Sequence, residues 1–204
     1  MNHAATAIEV VPTKIAEPFA GGFYAGRILV DRQVYAVIVA PKEQGENEEV
    51  KWGKNLKSVE GARSFFDGQA NTRAMAEAGS PLAKWALGLA IGGFTDWYVP
   101  SRDELELCYR AFKPTTEENY CWRGDNPSSV PVGYAYSLDS PAQTADPLFR
   151  EGGAEAFADG WYWTSTQYAG DSDFAWVQDF LGGDQNGGPK SNGCRARAVR
   201  RLAI

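Results

Sequence analysis

The fold is decided by the aromatic segment Trp161-Tyr162-Trp163-Thr164-Ser165-Thr166 and by the later stretch Phe174-Ala175-Trp176-Val177-Gln178-Asp179-Phe180. Aromatic and β-branched residues at this density favour strands. The Gly- and Asn-rich residues 182–193 are predicted to form a wide hairpin loop. A closing strand is predicted over Arg195-Ala196-Arg197-Ala198-Val199-Arg200-Arg201. The tryptophans of these strands are expected in the core.

Two helices are predicted before the strands. Ser80 is a suitable N-cap and Pro81 suits the first helical position, with Gly92-Gly93 as the stop. Ser101 is predicted to form a capping box with Glu104, in which each side chain satisfies an unpaired amide at the start of the second helix.

The remaining segments have weaker patterns. Residues 1–20 show no period and are interpreted as an arm or linker, whereas Phe23 to Ala40 is predicted to be two strands joined by a turn at Asp31-Arg32. Residues 43–49 are acidic and predict a solvated loop. Residues 114–160 are rich in Pro, Gly, Asn and Ser, and predict a long irregular excursion. Within it, Arg123-Gly124-Asp125 is interpreted as part of a turn.

Composition and charge restrict the class of protein. A chain of 204 residues buries enough surface to fold without disulfides or metals. Its net charge of −6 argues against nucleic acid as a partner. We identify no signal peptide, and the longest apolar stretch is too short to span a bilayer, so we expect synthesis in the cytoplasm and no membrane insertion.

The chemistry-bearing residues are sparse. His3 is the single histidine, so Ser/His and Cys/His arrangements are not expected, and we predict neither an enzyme nor a cofactor. Cys108, Cys121 and Cys194 show no metal-ligand spacing; buried free thiols are expected, with a Cys108–Cys121 bridge as the alternative. The arginines of the closing strand are expected to form ion pairs that hold it in place.

Four ordered motifs carry a resemblance. They are Trp97-Tyr98-Val99-Pro100-Ser101, Tyr162-Trp163-Thr164-Ser165-Thr166, Ala175-Trp176 and Arg197-Ala198-Val199-Arg200. Over about residues 50–204 the chain resembles a family of bacterial and phage domains that includes the C-terminal domain of a collagen-like bacterial adhesin. Tyr98 stands where that family usually has Arg, and Ala198 where it has Cys. The resemblance implies an α+β, C-type-lectin-like fold with two helices, a small twisted antiparallel sheet and long irregular loops.

The resemblance is greatest to versions in prophage tail regions, and it implies a function. We expect residues 1–50 to form an N-terminal arm and β-hairpin, a possible attachment region, and residues 51–204 to form a recognition domain. The expected protein is a non-enzymatic tip of a phage or prophage tail fibre, made in the bacterial cytoplasm and carried on the virion. Its partners would be a bacterial surface receptor (glycan or protein), other tail-fibre subunits and further copies of itself. A cellular adhesin or lectin outside a virion is the alternative, and an enzyme of the formylglycine-generating-type fold is disfavoured.

The predicted ligand-binding side chains lie in the last third of the chain. Amide, carboxylate and ammonium groups offer donors and acceptors suited to sugar hydroxyls, while Tyr168 and Trp163 would supply apolar faces. The predicted set is Tyr168, Asp171, Asp173, Asp184, Gln185, Asn186, Lys190 and Asn192. No metal ligands are predicted, because Asp171 and Asp173 lack the rest of a calcium loop.

Overall fold

The computed structural model describes residues 10–55, 57–121 and 125–204. His3, most of the Arg123-Gly124-Asp125 tripeptide and the first nine residues of the predicted arm lie outside this described part. The chain forms four helices and two sheets within it, which confirms the α+β class.

The first sheet is antiparallel and contains the predicted N-terminal hairpin. Its strands are, in order across the sheet, β1 (Pro18–Phe19), β2 (Gly22–Val30), β3 (Gln33–Val39) and β9 (Val199–Ala203). Asp31 and Arg32 have φ angles of 48° and 69°, which a two-residue hairpin turn of type I′ requires. The prediction of two strands joined by this turn is confirmed.

The segment before the hairpin is not a free arm where the structure describes it. Ala16, Phe19 and Ala20 are buried, and the Ala16 N–H donates to the Tyr24 carbonyl at 2.9 Å. The expectation of an arm is therefore wrong for these residues, because their apolar side chains gain more by packing on the sheet than by remaining in water.

The second sheet contains the aromatic segment Trp161–Gln167. Its order is β4 (Glu46–Lys51), β8 (Gly193–Arg197), β5 (Trp161–Gln167), β6 (Phe174–Asp179) and β7 (Gln185–Pro189), with β5 and β8 parallel and the other pairs antiparallel. The predicted hairpin loop at 182–193 is thus partly a strand, β7. The predicted closing strand is two strands, since the chain leaves one sheet and enters the other at Ala198.

The acidic segment is also not a loop. It contains a short helix, α1 (Lys42–Gly45), followed by β4. The expectation of a loop is therefore wrong; Glu43, Gln44, Glu48 and Glu49 are exposed as expected, whereas the Glu46 side chain is 3% exposed and pairs with Arg197. The predicted boundary between the attachment region and the recognition domain, at residue 50, falls inside β4.

The remaining helices are α2 (Gly68–Glu77), α3 (Pro81–Leu87) and α4 (Arg102–Phe112), with a 3₁₀ turn over Glu60–Ala62. The predicted N-cap of α3 is present, as Ser80 Oγ accepts from the Ala83 N–H. However, α3 ends at Leu87 with Gly88 as its C-cap, so the predicted stop at Gly92-Gly93 is too late. The predicted capping box of α4 is confirmed. Helix α2 has no counterpart among the predictions.

The excursion over residues 114–160 is irregular as predicted, with no helix or strand among its described residues. The three cysteines are free, which rejects a Cys108–Cys121 bridge. Cys108 is buried, but Cys121 is exposed, contrary to the expectation of a buried thiol.

The core is aromatic and joins the two sheets to α4. Phe157 stacks on Phe180 with ring centroids 4.0 Å apart, and Phe112 stacks on Phe149 at the same distance. Trp163 and Trp176 are buried as expected. Trp161 is 39% exposed, so its assignment to the core is wrong; it is the first residue of β5.

Candidate functional site

The predicted ligand-binding residues lie along a hairpin at one edge of the second sheet. Strands β6 and β7 pair side by side, and β7 is the edge strand. Asp184 lies at the turn of this hairpin, whereas the Tyr168–Asp173 turn and Asn192 lie at its other end. The five residues of β7 span about 13 Å. The predicted set is therefore distributed along the edge and does not form one patch.

Two members of the set have side chains directed inward. Gln185 is 2% exposed and its Nε2 donates to the Arg102 carbonyl at 3.3 Å. Lys190 is fully buried, and its Nζ donates to Gln167 Oε1 at 2.7 Å and lies 4.4 Å from the centroid of the Trp52 ring. These bonds hold the two side chains within the fold.

The other members reach the surface to different degrees. Asp171, Asn186 and Asn192 are exposed, while Tyr168, Asp173 and Asp184 are half-buried. Asp171 Oδ1 accepts from the Asp173 N–H at 2.9 Å, and Asn186 Oδ1 accepts from the Gly187 N–H at 2.8 Å. Each of these contacts uses one oxygen, which leaves the second carboxylate oxygen of Asp171 and the amide N–H groups of Asn186 for a ligand.

A group of side chains in mutual contact adjoins this edge, and we call Phe65, Arg102, Trp176 and Tyr168 the aromatic row. The Arg102 Cζ lies 5.0 Å from the ring centroids of both Phe65 and Trp176. The Tyr168 and Trp176 centroids are also 5.0 Å apart. Among these residues, sequence reasoning identified Tyr168 as a contact but missed Phe65 and Arg102. The available signal was Ser64-Phe65-Phe66-Asp67, an apolar pair between polar residues with no strand or helix period to bury it.

The backbone beneath the aromatic row is held on several sides. The Arg102 N–H donates to Thr166 Oγ1 at 3.0 Å, and its carbonyl accepts from Gln185. The Phe65 carbonyl accepts from the Asp103 N–H at 2.8 Å. Helix α4, strand β5 and strand β7 thus fix the positions from which the row projects, and such support gives a site defined geometry before any ligand arrives.

Trp163 does not contribute to this surface. It is fully buried and its Nε1 donates to the Val50 carbonyl at 2.8 Å. The expectation that Trp163 offers a face to a sugar ring is therefore wrong.

The arginines of β8 and β9 form the predicted ion pairs. Arg197 Nε lies 2.8 Å from Glu46 Oε2, Arg200 Nε lies 2.8 Å from Asp96 Oδ1, and Arg201 Nη1 lies 3.0 Å from Asp67 Oδ1. Arg195 is the least buried of the four, with a side chain that is 30% exposed. The ion pairs tie the last strands to three earlier segments of the chain.

Lys190 gives the edge a pH dependence. Burial lowers the pKa of its ammonium to about 8, against 10.5 for an ordinary lysine. Between these values the unfolded chain retains the proton that the folded chain has lost, so this group's contribution to the free energy of unfolding rises with pH. Compared with Lys190→Met, the wild type is expected to gain thermal stability between pH 7.5 and pH 10. Thermal unfolding at both pH values measures the difference, and the exposed Lys54→Met serves as control. A difference that does not change with pH would contradict the prediction.

Among the described residues, no helix is long and apolar enough to cross a membrane. Over the same residues, no group of three or more His, Cys, Asp or Glu side chains is placed to hold a metal ion.

The fold and this edge define a small α+β domain that displays polar and aromatic side chains from a rigid sheet. The family model of the Lcl C-terminal domain matches residues 44–200, well over half of the chain. The chain belongs to the Lcl C-terminal domain family, and the resemblance stated from the sequence motifs is confirmed. Membership indicates an adhesin-like recognition domain. No curated protein matches the chain.

Proposed function

We propose that this domain recognises a receptor on the bacterial surface as the tip of a phage or prophage tail fibre, and that it does so without catalysis. The observation that carries the proposal is the aromatic row beside the exposed Asp171 and Asn186, presented from β6, β7, the start of α4 and the adjoining loops, whose backbone is held by internal hydrogen bonds. Residues displayed in this way on a rigid scaffold are typical of binding sites. Membership of an adhesin-like family supports the same class of function.

The non-enzymatic part of the proposal has support in the sequence. His3 is the single histidine and lies outside residues 44–200, which match the family model, so the matched part of the sequence lacks the commonest general base. Burial raises the pKa of the Cys194 thiol to about 11, so this cysteine is a poor nucleophile at neutral pH. We propose no cofactor.

Attachment to the fibre is assigned to residues 1–50. The hairpin of this region belongs to the first sheet, whereas the recognition edge belongs to the second. We therefore propose that fibre subunits and further copies of the chain contact the first sheet. The receptor contacts the second sheet. Neither nucleic acid nor membrane insertion is part of the proposal. The proposed location is the virion.

A cellular adhesin outside a virion is the second candidate, favoured by the adhesin-like family itself. Mass spectrometry of particles purified from an induced host separates the two. Peptides of this chain that copurify with tail proteins support the fibre, while peptides confined to the cell envelope fraction support the adhesin.

If the proposed edge contacts the receptor, removing its exposed polar side chains should weaken binding to cells. The double variant Asp171→Ala/Asn186→Ala is expected to bind host cells at least about tenfold more weakly, because two polar contacts with a receptor are each worth about 1 kcal/mol. Fluorescently labelled protein and flow cytometry over a concentration series measure the affinity. The matched control is Asp139→Ala/Glu77→Ala, which removes two exposed carboxylates elsewhere. Equal binding by the two double variants would reject this edge as the contact surface.

A further inference from the structure

Two adjacent phenylalanines are exposed on a rigid loop. Phe65 and Phe66 are 40% and 37% exposed, although phenylalanine is among the residue types most often buried. The loop is not free to fold them inward, because the Ser64 carbonyl accepts from Asn71 Nδ2 at 2.7 Å and from Thr166 Oγ1 at 2.8 Å. An apolar pair kept in water by a fixed backbone is typical of a binding site.

The aromatic row adds a polar group to this apolar surface. The Arg102 guanidinium lies against both Phe65 and Trp176, whose ring planes are perpendicular, and the Arg102 side chain is 14% exposed. Its Nε is buried and has no hydrogen-bond partner in the structure. Beside it, the half-buried Tyr168 packs on Trp176. The row therefore combines flat apolar faces with a guanidinium donor that lacks an acceptor.

The size of the row selects the class of ligand. The ring centroids of Phe65 and Trp176 are 6.2 Å apart and those of Trp176 and Tyr168 are 5.0 Å apart, so the row is as long as one or two sugar rings laid end to end. A protein partner of ordinary affinity needs about 800 Å² on each side and 20 to 30 residues. The four side chains of the aromatic row and the neighbouring Phe66 are far fewer residues than a protein interface of this kind requires. A pyranose, whose C–H face is apolar and whose rim is polar, matches the row in extent and chemistry.

The charges around the row select among sugars. The Arg102 guanidinium already lies 3.5 Å from the Asp103 carboxylate. The turn that begins at Tyr168 carries Asp171 and Asp173, and the whole chain has a net charge of −6. An anionic sugar at the Tyr168 end would meet carboxylates of the same sign, which is unfavourable. A neutral sugar meets no such repulsion.

We propose that the aromatic row is a subsite for one or two neutral pyranose rings of a bacterial surface polysaccharide. One ring stacks on the exposed face of Phe65 and a neighbouring ring contacts Tyr168, with the partly exposed guanidinium of Arg102 between them as a hydrogen-bond donor. The inference rests on the proposed function, since it names the receptor chemistry at the same edge.

The test uses polysaccharide extracted from a strain that the protein binds, separated by anion exchange into neutral and acidic fractions. Each fraction competes with cells for the labelled wild-type protein. The neutral fraction is expected to displace the protein, and Phe65→Ala and Tyr168→Ala are each expected to lower its apparent affinity at least about tenfold. Tyr134→Ala removes a ring that is 63% exposed on the irregular excursion and is the matched control. Thermal unfolding verifies that each variant folds; Phe66→Ala replaces any variant that does not.

The outcomes separate the two proposals. Displacement by the acidic fraction alone, or unchanged affinity in the row variants, overturns the neutral-sugar subsite. Periodate treatment of the cells, which cleaves sugar diols, is expected to abolish binding. Binding that survives periodate but is lost after protease treatment identifies a protein receptor; it overturns the subsite and leaves the proposed function standing. A wild-type protein that binds no cells of any tested host contradicts the proposed function itself.

Discussion

Arg197→Met is expected to lower the free energy of unfolding by about 3–5 kcal/mol, the range for breaking a buried ion pair. The Arg197 side chain has no exposed surface, and its partner Glu46 is 3% exposed. The guanidinium also donates to the carbonyls of Ala40 and Glu155, at 2.9 and 3.2 Å. Methionine fills much of the same volume but leaves a buried carboxylate and two carbonyls without their donor. Urea denaturation at neutral pH measures the change.

The neighbouring arginine provides the control. Arg195 pairs with the same carboxylate at 3.4 Å, but its side chain is 30% exposed, so Arg195→Met is expected to cost less than about 1 kcal/mol. Adding Glu46→Gln to Arg197→Met should recover part of the loss, because it removes a buried charge that has lost its buried cationic partner and retains the longer contact with the half-buried Arg195. Equal costs for the two single arginine variants would show that burial of the pair does not set its contribution.

Glu104→Ala is expected to have a comparable effect, about 3–5 kcal/mol, because it removes a buried charge that serves several donors at once. Glu104 Oε1 accepts from the Tyr98 hydroxyl at 2.6 Å. Its Oε2 accepts from the backbone N–H groups of Ser101 at 2.7 Å and Gly68 at 3.1 Å. One carboxylate therefore caps α4, reaches the first turn of α2 and satisfies a buried phenol.

Glu104→Gln distinguishes this role from simple packing. The glutamine oxygen still accepts from the two backbone amides, and its amide nitrogen can donate to the Tyr98 oxygen after the hydroxyl rotates. We expect the Gln variant to retain more than half of the stability lost by the Ala variant, as measured by circular dichroism during thermal and urea unfolding. Similar losses in both variants would mean that the hydrogen bonds contribute little.

The features predicted correctly from the sequence have local causes. The Ser101–Glu104 box and the Asp31-Arg32 turn follow from the chemistry of a few consecutive residues. The ion pairs of the closing arginines follow from the high cost of burying an unpaired charge in a strand. Such rules operate without knowledge of what packs nearby.

The features that were missed depend on distant partners. Strand β4 is made of Glu, Asn, Val and Lys residues with no apolar alternation. The Glu46 side chain is buried there because it forms an ion pair with Arg197, which lies far along the chain. Strand β7 contains two glycines and a proline, and pairs because β6 lies beside it. The same register turns Gln185 inward and Asn186 outward, which glycine-rich sequence does not reveal. Phe65 became part of the candidate site because Arg102 and Trp176 are brought to it by other elements.

The passage of the chain from β8 into β9 has a consequence for its synthesis. The β2–β3 hairpin is made among the first forty residues, yet its neighbour β9 is made at 199–203, and Gln33 Nε2 bonds the Ile204 carbonyl across 171 positions of sequence. Until those residues leave the ribosome, β3 presents an open edge on which another nascent chain can pair. Contacts of such long sequence separation also slow folding. Strands β8 and β9 complete the second and first sheets in one late event, so the domain cannot finish folding before these residues have been made.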